Sequence, residues 1–239
     1  MTQIAFLLDV DNTLINNDKV KADLEERILR YGGTDYAPRF WEEYERVRGE
    51  LDYVDLPVTL QRFRQASPGM LRFAELAAAV LFYPFEECLY AGAMDVLEHL
   101  RGLGTIAIVS DGDPVFQPAK IARAGLAAAV EDRVLIYVHK ERRLADVRRR
   151  IPADLYVLID DKPAILEAAK ADMNSDIVTV HVHQGKYARE SHKDDPIADI
   201  ELASIADVLQ LTRSDFEAPA GAPPARPPGP TSKRPRWSA

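Results

Sequence analysis

Five short apolar runs punctuate the chain: IAFLL (4–8), TIAIVS (105–110), RVLIYV (133–138), LYVLID (155–160) and IVTVHV (177–182). Each has strand length, and most are rich in β-branched or aromatic residues. Their apolarity is nearly continuous rather than alternating, so the pattern predicts strands buried on both faces, as in a parallel sheet. Between them, helical periodicity predicts helices near 93–102, 114–124, 141–150 and 162–171. The last opens on Lys162-Pro163, a proline suited to a first helical turn. Strand alternating with helix is the α/β signature. Residues 16–91 break the rhythm. They contain no convincing strand, and 18–30, 38–50, 57–66 and 69–82 read as helices, an all-helical insertion after the first strand. Linkers near 15–17 and 90–92 would join it to the sheet and allow it to open and close.

The last segment reads APAGAPPARPPGPTSKRPRWSA from Ala218, with seven of the chain's sixteen prolines and no apolar face. Such a composition cannot repay the entropy of ordering. The pattern therefore predicts three parts: an α/β sheet domain over 1–15 and 92–213, the helical insertion 16–91, and a disordered, Pro-rich basic tail over 214–239.

Composition narrows the class. The apolar share of 47% suffices for a real core, and the net charge of −8 disfavours nucleic-acid binding. The four bases after Glu217 leave 26 bases against 38 acids in 1–217, a net −12. Cys88 is the single cysteine, so packing rather than disulfides must hold the fold. There is no signal-peptide pattern, and the longest apolar run, Leu76–Tyr83, is too short to cross a bilayer. These features lead to the expectation of a cytoplasmic protein. The oligomeric state is not encoded in any pattern visible here.

The chemistry lies where strands end. The first apolar run ends in Asp9-Val10-Asp11-Asn12-Thr13, the second in Ser110-Asp111-Gly112-Asp113, the fourth in Asp160-Asp161, and Lys140 follows the third. In a parallel sheet these ends meet on one edge, where ligands of such sheets bind. Asp9, Asp160 and Asp161 make an oxygen-rich anionic site that calls for a hard cation, and Mg²⁺ fits best because it accepts few protein ligands. Ser110, Lys140 and the backbone N–H groups of Val10, Asp11 and Asp111 suit a tetrahedral oxyanion, above all phosphate. Two carboxylates spaced i, i+2 divide the work. Asp9 can be metal ligand and nucleophile. Asp11 can offer the metal its backbone carbonyl and keep its side chain for proton transfer.

DVDNTL, then IVS, then Lys140, then LIDDK, in that order, resembles the haloacid dehalogenase superfamily, over residues 1 to about 211. The helical insertion looks like that family's C1-type cap. The resemblance implies that Asp9 attacks phosphorus to form an aspartyl-phosphate. Asp11 would protonate the leaving alcohol and then activate water, Thr13 would support the loop, and Ser110 and Lys140 would bind phosphoryl oxygens. Asp161 would ligate Mg²⁺ directly and Asp160 through water. Relatives often carry asparagine in the loop after Ser110, here Asp111-Gly112-Asp113, so an extra acid there makes this site more acidic than the family pattern. The implied function is Mg²⁺-dependent hydrolysis of a small phosphorylated metabolite. A phosphomutase or phosphotransferase on the same fold, or a non-catalytic binding module, remain as alternatives.

Other groups read more plainly. Lys120 competes with Lys140 for the phosphate role. His181 and His183 face one way on the last strand, but with no third soft ligand nearby they read as strand-edge residues. The arginines of 142–150 read as a solvated face. In the insertion, Arg39, Trp41, Tyr44, Arg48 and Arg64 are candidates for substrate contact, and none stands out.

Overall fold

A computed structural model describes residues 2–190 and 198–217. Six parallel strands form one sheet in the order β3-β2-β1-β4-β5-β6: β1 (Ile4–Leu8), β2 (Thr105–Asp111), β3 (Val134–Tyr137), β4 (Leu155–Asp160), β5 (Ile177–Val182) and β6 (Ile200–Leu202). The five runs read from the sequence are strands β1 to β5. The sixth escapes that reading because it has only three residues. Every residue of β1 and β5 is buried, as two-sided cover requires. Phe6 and Leu8 pack into one apolar cluster and Ala5 and Leu7 into the other, so the sheet separates two cores.

The connections are α4 (Ala93–Arg101), α5 (Phe116–Arg123), α6 (Leu126–Ala129), α7 (Leu144–Arg150), α8 (Pro163–Met173) and α9 (Gly185–Glu190). The chain moves outward from β1 to β2 and β3, then crosses back to β4 on the other side of β1. That reversal puts the crevice of the fold at the carboxyl ends of β1 and its neighbours.

Residues 16–91 hold α1 (Asn17–Leu51), α2 (Leu56–Ala66), α3 (Phe73–Leu81) and a short 3₁₀ turn, with no named strand. Helix α1 starts on Asn16, whose side chain accepts from the Lys19 N–H at 2.9 Å. Residues 31–37, read as a break between two helices, are helical except at Gly33, which takes φ 63° and ψ −172° and kinks the run. Pro38 therefore lies near the start of a second helical segment, where its missing N–H costs little. The two linkers run antiparallel: Asn16 N–H donates to Cys88 O at 2.8 Å and Tyr90 N–H to Leu14 O at 2.9 Å.

Residues 214–217, expected within the disordered tail, are helical. Arg213–Glu217 is helix α10, and Phe216 is buried edge-to-face against Phe6, with ring centroids 5.0 Å apart. That aromatic contact, with Arg213 donating to the carbonyls of Leu103 and Thr2, ties this turn to the sheet domain. The expectation for 218–239 lies outside the described residues. Among the described residues, no helix is long and apolar enough to cross a membrane.

Candidate active site

The ends of β1 to β4 bring the sequence's candidates together. Asp9 follows β1, its N–H bonded to Ile159 O at 3.0 Å, and its side chain is buried. Asp160 ends β4 and Asp161 follows it, both buried. One carboxylate oxygen from each of Asp9, Asp160 and Asp161 lies within 4.8 Å of the others. Lys140, almost wholly buried, ion-pairs with Asp9 Oδ1 and stands 2.7 Å from Asp160 Oδ2. Its backbone is fixed by the Asp111 carboxylate, which accepts from the Lys140 N–H at 2.8 Å. The Asp111 side chain thus aims Lys140, leaving only its backbone for an anion.

Asp11 stands apart from the three-carboxylate cluster. Lys120 ion-pairs with its Oδ1, and Gln117 Nε2 donates to its Oδ2 at 2.9 Å. Gln117 Nε2 also donates to Ser110 Oγ at 3.0 Å, so one amide ties the second acid to the hydroxyl. The two competing lysines have separate posts, Lys140 on Asp9 and Asp160, Lys120 on Asp11. Asp113 accepts from the Val115 and Phe116 N–H groups at 2.9 and 2.6 Å and caps the start of α5. Thr13 is buried; its N–H donates to Val10 O at 3.3 Å, while its hydroxyl has no partner.

Several supports were not visible in the motifs. Asn12 sits at φ 63°, and its Oδ1 accepts from the Asn17 N–H at 3.0 Å, joining the acidic loop to α1. Gln184 donates to the carbonyls of Asn12 and Thr13 at 3.1 Å each and accepts from the Ile205 N–H at 2.5 Å. Next to it Gly185 (φ 63°) leaves no room for a side chain: a Cβ there would stand 2.4 Å from Asn12 Cγ. A Gln-Gly pair just after the last long strand was the available signal. Lys162, read only as a helix start, also borders the site.

Above the sheet edge a cavity of about 650 Å³ is lined from below by Asp11, Asp111, Lys120 and Lys162 and from the helical segment by Trp41, Tyr44 and Arg48. Of the five candidates in that segment, Arg39 and Arg64 lie elsewhere. Arg39 stacks on Tyr36, and Arg64 donates to Met70 O at 3.1 Å.

Burial and crowding set the charges. Burial pushes Asp161 up to about 9, helped by the negative charges of Asp9 and Asp160. Burial also raises Asp9, to about 6, against the pull of Lys140. At Asp11 burial pushes upward, but Lys120 and the hydrogen bonds from Lys120 and Gln117 outweigh it, and the carboxyl lies below its usual range. Burial works against the charge of Lys140, yet Asp160 and Asp9 hold its ammonium well above the ordinary lysine range. Three carboxylates thus face Lys140 and Lys162. Asp9 Oδ2 and both Asp161 oxygens are buried without a hydrogen-bond partner. Buried, unpartnered oxygens of one sign are a donor set for a hard dication.

This crowding makes metal-free stability pH-dependent. A carboxyl near 4 in the unfolded chain and near 9 in the fold binds more protons when folded between those values. Stability is then full below the lower value and falls as pH rises toward the upper. Asp11 titrates below this window and does not oppose it. The melting temperature in chelator is expected to fall from pH 5 to 9, and Asp161→Asn to flatten the slope. An unchanged slope in that variant would place the titration elsewhere.

One sequence expectation is corrected. β5 is not an edge, because β6 lies beyond it, and β6 brings Glu201 to His181 and His183 as a third potential ligand. The neighbour was hidden because it belongs to a three-residue strand.

Comparisons with known proteins identify the family of the fold. A profile described as hydrolase, haloacid dehalogenase-like hydrolase, matches residues 5–182. No curated protein sequence matches. A haloacid dehalogenase-like hydrolase structure from Burkholderia xenovorans LB400 is 41% identical, covering 91% of this chain and 100% of that one, with a TM-score of 0.82. The HAD-hydrolase YfnB of Bacillus subtilis, bound to magnesium, is 14% identical over 88% of this chain and 98% of that one (TM-score 0.55). The defluorinating L-2-haloacid dehalogenase Rha0230 is 16% identical over 90% and 96% (TM-score 0.58). The last two likenesses carry the fold alone.

Proposed function

We propose, for a chain that belongs to the haloacid dehalogenase-like hydrolases, that it hydrolyses the phosphate monoester of a small molecule through an aspartyl-phosphate on Asp9. The observation that carries this reading is the second carboxylate. Asp11 is held at the cavity wall by Lys120 and Gln117, apart from the cluster of Asp9, Asp160 and Asp161. Expelling an alcohol needs a proton, and activating water needs a base. Expelling a halide from carbon needs no proton to the leaving group, so the dehalogenase reading leaves the acid half of that work without a use.

In the first step an Asp9 oxygen bonds to phosphorus and the bond from phosphorus to the ester oxygen breaks. That oxygen takes a proton from the protonated form of Asp11, which is left as a carboxylate beside the Lys120 ammonium. In the second step water attacks phosphorus, Asp11 takes its proton, and the acyl-phosphate P–O bond breaks, freeing phosphate and Asp9. Lys140 offsets charge between Asp9 and the transferring group, and Ser110 and the backbone of Asp111 hold phosphoryl oxygens. Asp9 and Asp161, with Asp160 and the Asp11 carbonyl as further donors, would hold Mg²⁺. When bound it would neutralise carboxylates and polarise the phosphoryl group. The unpartnered oxygens of Asp9 and Asp161 support that fit. Trp41, Tyr44 and Arg48 line the leaving-group side of the cavity, whose volume suits a small molecule.

The test is phosphate release from sugar phosphates, nucleotides and an aryl phosphate, with Mg²⁺ and with chelator. Mg²⁺-dependent release is expected. Release unaffected by chelator, or none from any ester, would sink the reading, and phosphate appearing on a second substrate instead of in water would replace hydrolysis with transfer.

A further inference from the structure

The His181–His183–Glu201 cluster belongs to no part of the chemistry above. Glu201 Oε2 lies 2.9 Å from His181 Nδ1 and 2.7 Å from His183 Nε2, and the two imidazole centroids are 4.2 Å apart. The other carboxylate oxygen, Oε1, accepts from the Ala198 N–H at 2.9 Å, which orients the group. Three donor atoms, from β5, the residue just after it and β6, therefore converge on one point.

The second nitrogen of His181 gives that convergence a meaning. The ring is fully buried, and its Nε2 faces the Asp161 carbonyl oxygen at 3.3 Å. Both nitrogens thus face oxygen atoms, yet a neutral imidazole has one N–H and one lone pair. If Nε2–H donates to the carbonyl, Nδ1 points a lone pair at the Glu201 carboxylate. A cation held by Nδ1, His183 Nε2 and Oε2 resolves the conflict. It leaves Nε2–H on a backbone carbonyl, the arrangement that commonly orients metal-ligating histidines.

We propose that His181, His183 and Glu201 form a second metal site, for a borderline dication such as Zn²⁺. Two imidazoles and one carboxylate suit Zn²⁺, whereas Mg²⁺ prefers oxygen donors alone, as in the aspartate cluster. Bonds of about 2.0–2.1 Å in a tetrahedron separate donors by roughly 3.3 Å, so each nitrogen need retreat from Oε2 by only a few tenths of an ångström. The His183 side chain is 40% exposed, which gives an ion an entry path and an open fourth position. The ion would fasten the three-residue β6 to β5 and, through His181, hold the backbone beneath Asp161.

The experiment titrates chelator-stripped protein with Zn²⁺ by calorimetry and follows the imidazole nitrogens in long-range ¹H–¹⁵N spectra. Wild type is expected to bind one Zn²⁺ with shifts at His181 Nδ1 and His183 Nε2. His183→Ala and Glu201→Gln should each weaken that binding by more than about tenfold, while Asp161→Asn retains it. Since His183 is partly exposed, its variant should fold, and a melting curve checks this. Zn²⁺ binding unchanged in His183→Ala, or lost in Asp161→Asn, overturns the assignment. So does a wild type that binds no Zn²⁺, with an extra proton on His181 filling the gap instead.

Discussion

Asp9→Asn is expected to fold and to lose turnover by about 10⁴-fold or more, the scale on which removal of a nucleophile is felt. Hydrolysis of a phosphate monoester can require acceleration approaching ~10²¹-fold. Positioning supplies roughly 7–11 kcal/mol of the corresponding barrier; much of the rest must come from charge placed where it develops, and from dividing the reaction in two. Asparagine keeps the shape of Asp9 and abolishes both its nucleophilic oxygen and the covalent intermediate. The fold should survive for a local reason. The change removes one of three crowded buried carboxylates, and Lys140 keeps Asp160 at 2.7 Å. Phosphate release and a melting curve on the same preparation test the claim together. A folded variant with wild-type-like turnover would remove Asp9 from the mechanism.

The reason Asp9, Asp160 and Lys140 could be read in advance is that each sits at the end of a strongly apolar run. The run predicts the strand, parallel pairing predicts a common edge, and the polar residue that ends the run is delivered to that edge. What eluded the sequence depended on partners distant in the chain. Lys120 could be seen as a basic residue on α5, but nothing local pairs it with Asp11, 109 residues away. Gln184 and Gly185 support the Asp9 loop across 170 residues or more. Glu201 meets the two histidines only because β6 forms, and Ile200-Glu201-Leu202 is too short to signal a strand. The helices read at 18–30 and 38–50 are one kinked run, because a single residue at positive φ, Gly33, absorbs the break and the helix resumes. Residues 213–217 join the sheet domain through buried Phe216 and through Arg213, whose partners lie far away in the chain.

Asp11→Asn separates the phosphatase reading from its rivals. It is expected to slow hydrolysis of alkyl phosphates by about 10²–10⁴-fold, the usual worth of a positioned acid and base. An aryl phosphate should suffer much less in its first step, because an aryloxide leaves without a proton. The substitution also deprives Lys120 of its anion. That ammonium is buried, with Asn17 Oδ1 at 3.1 Å as a remaining acceptor, so the variant should melt earlier than wild type. Adding Lys120→Met removes the stranded charge and should recover stability without recovering turnover of alkyl esters. That pattern divides the two roles of the pair, holding the loop and moving a proton. Equal slowing of alkyl and aryl esters would instead make Asp11 a binding or structural group. A variant as fast as wild type on every ester would leave the second aspartate without a role in proton transfer.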